Sequence, residues 1–363
     1  MHDRLSVVII GLSVTSSWGN GHATTYRGLM RELSLRGHDV LFLERDQPWY
    51  ADNRDLPVPP HGRAAIYHTL DELREQHSLV VRSADLVIVG SYVPEGIDII
   101  DWVHAEAEGV SAFYDIDTPV TLAALSSGTC SYLAARQVSG FDLYLSFTGG
   151  PTLNRIEREL GAPAARPLYC SFDPSLYYPE EMATVWDLGY LGTYSHDRQP
   201  TLDMLLLEPA RRWAQGRFIV AGPQYPEDLA WPPNVAREIH IAPAGHRAFY
   251  SAQRFTLNVT RADMVRAGWS PSVRLFEAAA CGVPIVSDWW PGLDSFLTPG
   301  REIFISRTPE ETLKLLTTLP ESERRLVGAR ARARVTQAHT AAHRAVELEG
   351  YVVEVRARRT ATA

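Results

Sequence analysis

The chain has little cysteine, no long apolar run and no surplus of basic charge. Its three cysteines, Cys130, Cys170 and Cys281, are odd in number and widely spaced. They match neither a disulfide framework nor a zinc site. The first apolar run, residues 5–10 after Met1-His2-Asp3-Arg4, is far shorter than a membrane span and lacks a signal-cleavage pattern. It reads as a buried first strand, and a cytoplasmic protein is expected. A formal net charge of −8 argues against a nucleic-acid binder, which needs a basic face. No Walker loop, Ser-His-Asp hydrolase elbow or histidine–carboxylate metal spacing occurs, so no metal is expected.

What is present is globular: 45% hydrophobic and 21% charged residues over 363 positions. That length suits two α/β domains better than one core. Short apolar runs at 7–10, 40–43, 86–89, 111–114 and 143–147 alternate with helical patterns, which predicts a doubly wound parallel sheet. A second series follows at 188–191, 218–221, 255–258 and 284–287. The expected fold class is α/β with two Rossmann-like domains, 1–168 and 181–320, joined by a proline-containing linker at 169–180. A helical segment, 321–363, is expected to cross back to the first domain. Ligands of such sheets bind at the carboxyl ends of the strands, so residues just past each strand are the candidates.

The sharpest local signal is the segment 268–284, GWSPSVRLFEAAACGVP. Ser270 and Pro271 look like an N-cap and first helical residue, and the free amides of Ser272 and Val273 would suit a diphosphate. Arg274 would add a phosphate contact, and Glu277, three residues on, would accept from ribose hydroxyls. An exposed Arg274–Glu277 pair on an ordinary helix is the bland alternative. Together with 258–261 (NVTR), this segment resembles the donor domain of CgeB-like glycosyltransferases, within the wider GT-B group. The stretch 188–198 (LGYLGTYSHDR) and Val220-Ala221-Gly222-Pro223 also resemble that domain's first two strands and turns.

The resemblance implies a two-domain GT-B hexosyltransferase-like enzyme that uses a nucleotide-diphosphate sugar without a metal. It puts Gly192 and Thr193 near the diphosphate, Arg198 as a second phosphate cation, and Gly222 and Pro223 at the second turn. His240 and Ile241 would edge the base, and Glu277 would hold the ribose. Many retaining relatives carry a second glutamate at the position occupied here by Trp269, so stereochemistry stays open.

In the first domain, the loop holding Trp18, Gly21 and His22 follows the first strand. His22 at the helix start is the leading acid/base candidate; packing or capping is its alternative. Asp115 and Asp117 follow a strand and are further proton-transfer candidates, with capping the alternative for Asp117. Trp18, Gly21, Gly149 and Asp288 are candidates for binding acceptor or sugar. The partners expected are a nucleotide sugar and a small-molecule or glycan acceptor, not nucleic acid. Three other readings stay open: a nucleotide-sugar epimerase, a non-catalytic nucleotide-sugar-binding module and, distantly, an NAD-dependent oxidoreductase. The last rests on Gly19-Asn20-Gly21 before a helix and Glu44 ending the second strand, a partial dinucleotide fingerprint.

Overall fold

The computed structural model describes residues 4–362; Met1–Asp3 and Ala363, which the expected domain limits include, lie outside the described residues. The chain divides into two compact units, one running through Tyr169 and resuming at Ala341, the other Cys170–Thr340.

The first unit is built on a seven-stranded parallel sheet in the order β3-β2-β1-β4-β5-β6-β7. Its strands are β1 (Ser6–Gly11), β2 (Asp39–Arg45), β3 (Arg63–Tyr67), β4 (Leu86–Gly90), β5 (Val110–Asp115), β6 (Leu143–Ser146) and β7 (Ala165–Pro167). Every residue of β4 and β5 is buried, as expected of central strands covered by helices on both faces. The helix His22–Leu35 leads from β1 to β2 and ends with Gly37 at φ +95°, a left-handed position that favours glycine.

The second unit holds a six-stranded parallel sheet in the order β10-β9-β8-β11-β12-β13. The strands are β8 (Trp186–Leu191), β9 (Phe218–Ala221), β10 (Val235–Glu238), β11 (Gln253–Asn258), β12 (Ile285–Ser287) and β13 (Phe304–Ile305). Its core gathers Leu188, Tyr190, Phe218, Val220, Phe255 and Leu257 with the leucines of 202–207. The expected linker is anchored rather than loose. Asp173 Oδ1 accepts from the Ser175 amide and hydroxyl (2.8 and 2.6 Å), and Tyr177 is buried within the second unit.

After Thr308, where a mainly helical chain is expected, the helices are Pro309–Thr318, Glu321–Ala338 and Ala341–Thr362. The last belongs to the first unit, where it packs along His22–Leu35; Gly28 meets Ala341 there, and a Cβ on it would lie 3.1 Å from the Ala341 Cβ. Glu349 anchors this helix. Its carboxylate accepts from Arg36 Nε and Nη2 at 2.5 and 2.6 Å and from His38 Nε2 at 2.7 Å. His38 Nδ1 accepts the Leu5 amide, which leaves Nε2 to carry the proton toward Glu349.

Four strands have no counterpart among the predicted apolar runs: β3, β7, β10 and β13. All four are sheet edges.

The Arg36 hydrogen bonds, helped by His38, hold the Glu349 carboxyl at about 2 against an ordinary 4.5. A depressed carboxyl contributes stability above its unfolded value, which is lost as pH falls through 4.5 toward 2. Glu349→Gln should therefore lower unfolding free energy at pH 7 by about 2–3 kcal/mol. Denaturant titrations over a pH series should show the gap between the two proteins closing below pH 4.5.

Candidate functional site

In the second sheet the strand order reverses between β8 and β11, and the crevice at that switch point is where an open α/β sheet binds ligands. Arg274 sits there. It is the second residue of the helix Val273–Ala280, and its guanidinium reaches both strand ends. Nε donates to the Leu191 carbonyl that ends β8 (2.7 Å), and Nη1 to Asn258 Oδ1 that ends β11 (2.8 Å). The cation also lies over the Tyr190 ring, 4.7 Å from its centroid. Nη2 makes no hydrogen bond among the described residues and is the nitrogen left to meet a ligand.

The cap differs from the sequence expectation. The helix opens at Val273 with Ser272 as its N-cap, whose hydroxyl accepts the Arg274 amide (3.4 Å). Ser270 is buried two residues earlier, and Pro271 offers its carbonyl to Cys170 Sγ.

Glu277, a turn further on, is 2% exposed, and its Oε1 is enclosed without a hydrogen-bond partner. Oε2 lies 3.6 Å from His246 Nδ1. The Ile241 carbonyl can only accept, so His246 Nε2 (3.0 Å away) carries the proton, and Nδ1 faces Tyr177 Oη at 3.1 Å. Burial and then the Glu277 charge hold the Tyr177 and Tyr250 hydroxyls far above the ordinary phenol range, so both stay protonated. A buried acceptor lacking a donor costs about 1–3 kcal/mol. Glu277 is thus a buried carboxylate with the Tyr177 and Tyr250 hydroxyls beside it and one oxygen, Oε1, unpartnered, and the exposed-pair alternative fails.

The other predicted positions surround these two. Gly192 and Thr193 form the loop after β8, and Arg198 Nη2 donates to the Thr193 carbonyl (2.7 Å) while its Nε is enclosed without a partner. Gly222, after β9, has φ +147°, and a Cβ there would stand 2.0 Å from the Gly192 carbonyl oxygen. Its role is to let two ligand-side loops touch. The Pro223 carbonyl accepts from the Tyr194 amide. His240 and Ile241 follow β10, and the Ile241 carbonyl meets the site through His246. Asp288 is turned inward: its oxygens accept from the Thr260 amide and hydroxyl (3.1 and 2.9 Å), so it fixes the loop after β11. Burial raises its pKa.

In the first sheet the reversal lies between β1 and β4. The loop after β1 is held by Glu44, fully buried at the end of β2. Its carboxylate accepts from Ser13 Oγ (2.9 Å), the Val14 and Thr15 amides (2.8 and 3.0 Å) and Thr15 Oγ1 (2.6 Å). A dinucleotide-binding acid must offer its oxygens to a ribose, and these are occupied. The NAD-dependent reading fails here.

Asn20 finishes the loop: its side chain donates to the Ser13 and Ser16 carbonyls and accepts the His22 amide at 3.1 Å. Gly21 is exposed beside open space, and Trp18 is half-buried. His22 begins the helix with Nδ1 enclosed and unpartnered. Burial pushes its imidazole below the usual 6.5, and the Asp117 charge pulls it partly back up.

The two aspartates separate. Asp117 occupies a helix N-cap position but makes no capping bond; Oδ2 accepts from Tyr92 Oη at 2.9 Å. Asp115 is 0% exposed, and its oxygens accept from Tyr144 Oη (2.5 Å) and Thr121 Oγ1 (2.7 Å). Burial lifts it to about 6. The expectation that Asp115 meets substrate is corrected: it is a sealed support that accepts the Asp117 amide at 3.3 Å. Gly149 is corrected likewise. It is buried where a Cβ would lie 1.9 Å from Tyr169 Oη, so it serves packing.

Tyr92, His246 and Tyr177 carried no signal in the motifs, although Tyr92 lies two residues past a strand end. Among the described residues no group of three or more His, Cys, Asp or Glu is arranged to hold a metal ion, and no helix is long and apolar enough to cross a membrane.

Residues 198–350 match the family Glyco_trans_1_2, described as glycosyl transferase-like. No curated protein matches the chain. Among solved structures, sucrose-phosphate synthase from Thermosynechococcus elongatus superposes with a TM-score of 0.67 at 14% identity, covering 98% of this chain and 100% of the other. The Anabaena protein HepE in complex with UDP and glucose gives 0.70 at 12% identity, covering 97% and 100%. An alpha-glucosyltransferase in complex with UDP and a 13-mer DNA also gives 0.70 at 12%, with the same coverage. The fold is GT-B, with two Rossmann-like parallel sheets, and its second half carries a glycosyl transferase-like domain of the transferase class.

Gly222→Ala should cost more than about 2 kcal/mol of stability, because the new methyl meets a backbone carbonyl at a positive φ. Thermal unfolding of the variant checks this, and an unchanged melting temperature would show that the two loops separate at little cost.

Proposed function

We propose that the protein is a metal-independent glycosyltransferase of the CgeB-like branch. In this reading it moves a sugar from a nucleotide diphosphate to a hydroxyl or amine acceptor. The observation that carries the reading is the pairing of Arg274 at the β8/β11 switch point with the unpartnered Oε1 of Glu277 one turn away. Ribose hydroxyls are the donors that Oε1 lacks. Arg274 Nη2, Arg198 and the first-turn amides of Val273–Ala280 supply positive potential for the charge that grows on the departing diphosphate. Such fixed charges do the work a divalent ion does elsewhere, so no metal is needed. The neighbours solved with UDP make a uridine diphosphate sugar the first donor to test.

His22 is the acid/base group, supported by its unpartnered Nδ1 and by Asp117. An imidazole held below 6.5 is neutral at pH 7 and can take the acceptor proton as the new glycosidic bond forms. None of the three cysteines forms a disulfide, which suits a reducing cytoplasmic setting. The acceptor is a small molecule or glycan.

UDP at about 100 times its Kd should stabilise the native protein by about 2.7 kcal/mol, with EDTA present throughout. Glu277→Gln and Arg274→Ala should reduce that shift, while His22→Ala should leave it unchanged. Lack of any shift with UDP, GDP, ADP or dTDP would overturn the donor site. With a working acceptor, His22→Ala should cut kcat by about 10²–10⁴-fold. The acidic limb of the wild-type rate should fall below pH 6.5, because protonation of His22 removes the base. A limb above that value would assign the proton transfer to another group.

A further inference from the structure

Tyr92 is a bulky residue at φ +64°, in the short loop after β4, where Glu95 is also left-handed at φ +56°. Such backbone costs about 1–3 kcal/mol and persists only where surrounding contacts impose it. Those contacts are specific. Arg45 Nη1 holds Glu95 Oε2 at 2.7 Å, the Ser91 amide donates to the Tyr114 carbonyl, and Ser91 Oγ accepts the Ile116 amide. The two Ser91 bonds tie the β4 loop to the end of β5, and the Arg45 ion pair ties it to the end of β2. The strained turn sets the Tyr92 ring between His22, 5.7 Å away between centroids, and Tyr132, 4.7 Å away. It also aims the Tyr92 hydroxyl at Asp117 Oδ2, 2.9 Å away.

We infer that Tyr92 is a positioning residue: its hydroxyl fixes the Asp117 carboxylate so that its charge faces the His22 imidazole. The inference deepens the glycosyltransferase reading and rests on it only for the purpose His22 serves; the Tyr92–Asp117 hydrogen bond and the Tyr92–His22 ring contact stand on the distances above. Tyr92 suits this role because its hydroxyl stays a donor. Burial and the adjacent Asp117 charge hold it far above the range in which a phenol ionises. The groups facing His22 and its partners come from three elements. Asp117 follows β5 and Tyr92 follows β4. Tyr26 lies one turn along the His22 helix, T-stacked on Tyr114, with Asp115 acting on its hydroxyl. Asp115 is tied by Tyr144 and Thr121, and Tyr132 Oη shares a hydrogen bond with Thr121. Among the described residues, Asp117 is the acid whose charge raises His22.

The test follows the His22 imidazole by ¹⁵N NMR in the full chain, in wild type, Tyr92→Phe, Asp117→Asn and the double variant. Tyr92→Phe keeps the ring and removes the hydroxyl. Asp117 then keeps its charge but loses the bond that orients it, and His22 should titrate measurably lower. Asp117→Asn, which removes the charge itself, should lower it at least as far, by about one pH unit, and adding Tyr92→Phe to it should change nothing further. If Tyr92→Phe does not fold, Tyr92→Asn, which tolerates a left-handed backbone, should give the same shift. An unmoved His22 titration in Tyr92→Phe, or an equal shift in the Asp117→Asn background, overturns the role. UDP-induced stabilisation, measured on the same samples, separates this from the wider reading. Its absence in wild type sinks the donor site and leaves the titration result intact.

Discussion

The Arg274 guanidinium is a charge taken out of water, and the carbonyl of Leu191 and the amide oxygen of Asn258 are what make its burial tolerable. An isolated buried cation is very costly, so those two acceptors must stay in place. They lie at the ends of β8 and β11, the two strands between which the sheet reverses direction. One side chain therefore bridges these strand ends just past the last paired residues, Gly189 and Thr256. Its own helix is fixed by the same bonds, and Glu277 with it, so the unpartnered carboxylate oxygen follows from where Arg274 is held. Gly192 belongs to the same constraint: a Cβ there would sit 2.8 Å from Arg274 Nη2 and 2.6 Å from Tyr190 Oη.

The first unit solves a related problem with the opposite charge. Glu44 is an anion at the end of β2, and four donors from residues 13–15 fold the β1 loop over it. A carboxylate that accepts from backbone amides is worth more than a neutral contact, since charged hydrogen bonds are about twice as strong. The loop thereby gains a defined path to Asn20, which caps His22. Both sheets thus hold their ligand-side loops with buried ions that meet the backbone. The catalytic candidates are placed one step further out.

The central strands were legible because burial on both faces forces continuous apolar runs, as in LVIVG of β4 and FIVA of β9. The edges were not. RAAIY, ARP, VARE and FI are short or interrupted by charge, since an edge strand faces solvent and needs no apolar run. The site divides in the same way. Arg274 and Glu277 were readable because one helix carries both, so spacing alone puts them together. Asp115, Gly149 and Asp288 were readable only as residues past a strand. Whether such a residue faces ligand or core depends on partners 20 to 30 positions away, such as Tyr144 for Asp115 and Thr260 for Asp288. No local pattern encodes those pairings.

Asp115 and Asp117 make that limit concrete, because two residues of one type, two apart, take different roles. Asp115 ends β5, where side chains alternate between faces, and it points into the layer occupied by Tyr144 of β6. Asp117 lies past the strand, beyond that alternation, and its carboxylate meets a hydroxyl from the β4 loop instead. The first is raised to about 6 by burial, while the second acts through its charge on His22. A chain that needs one acid near an imidazole gains from a second beneath it. The buried one accepts the amide of the other and fixes the turn that carries it. The strain in the adjoining β4 loop has the same logic. Ordered contacts on both sides of the candidate acid/base group set its geometry without a ligand.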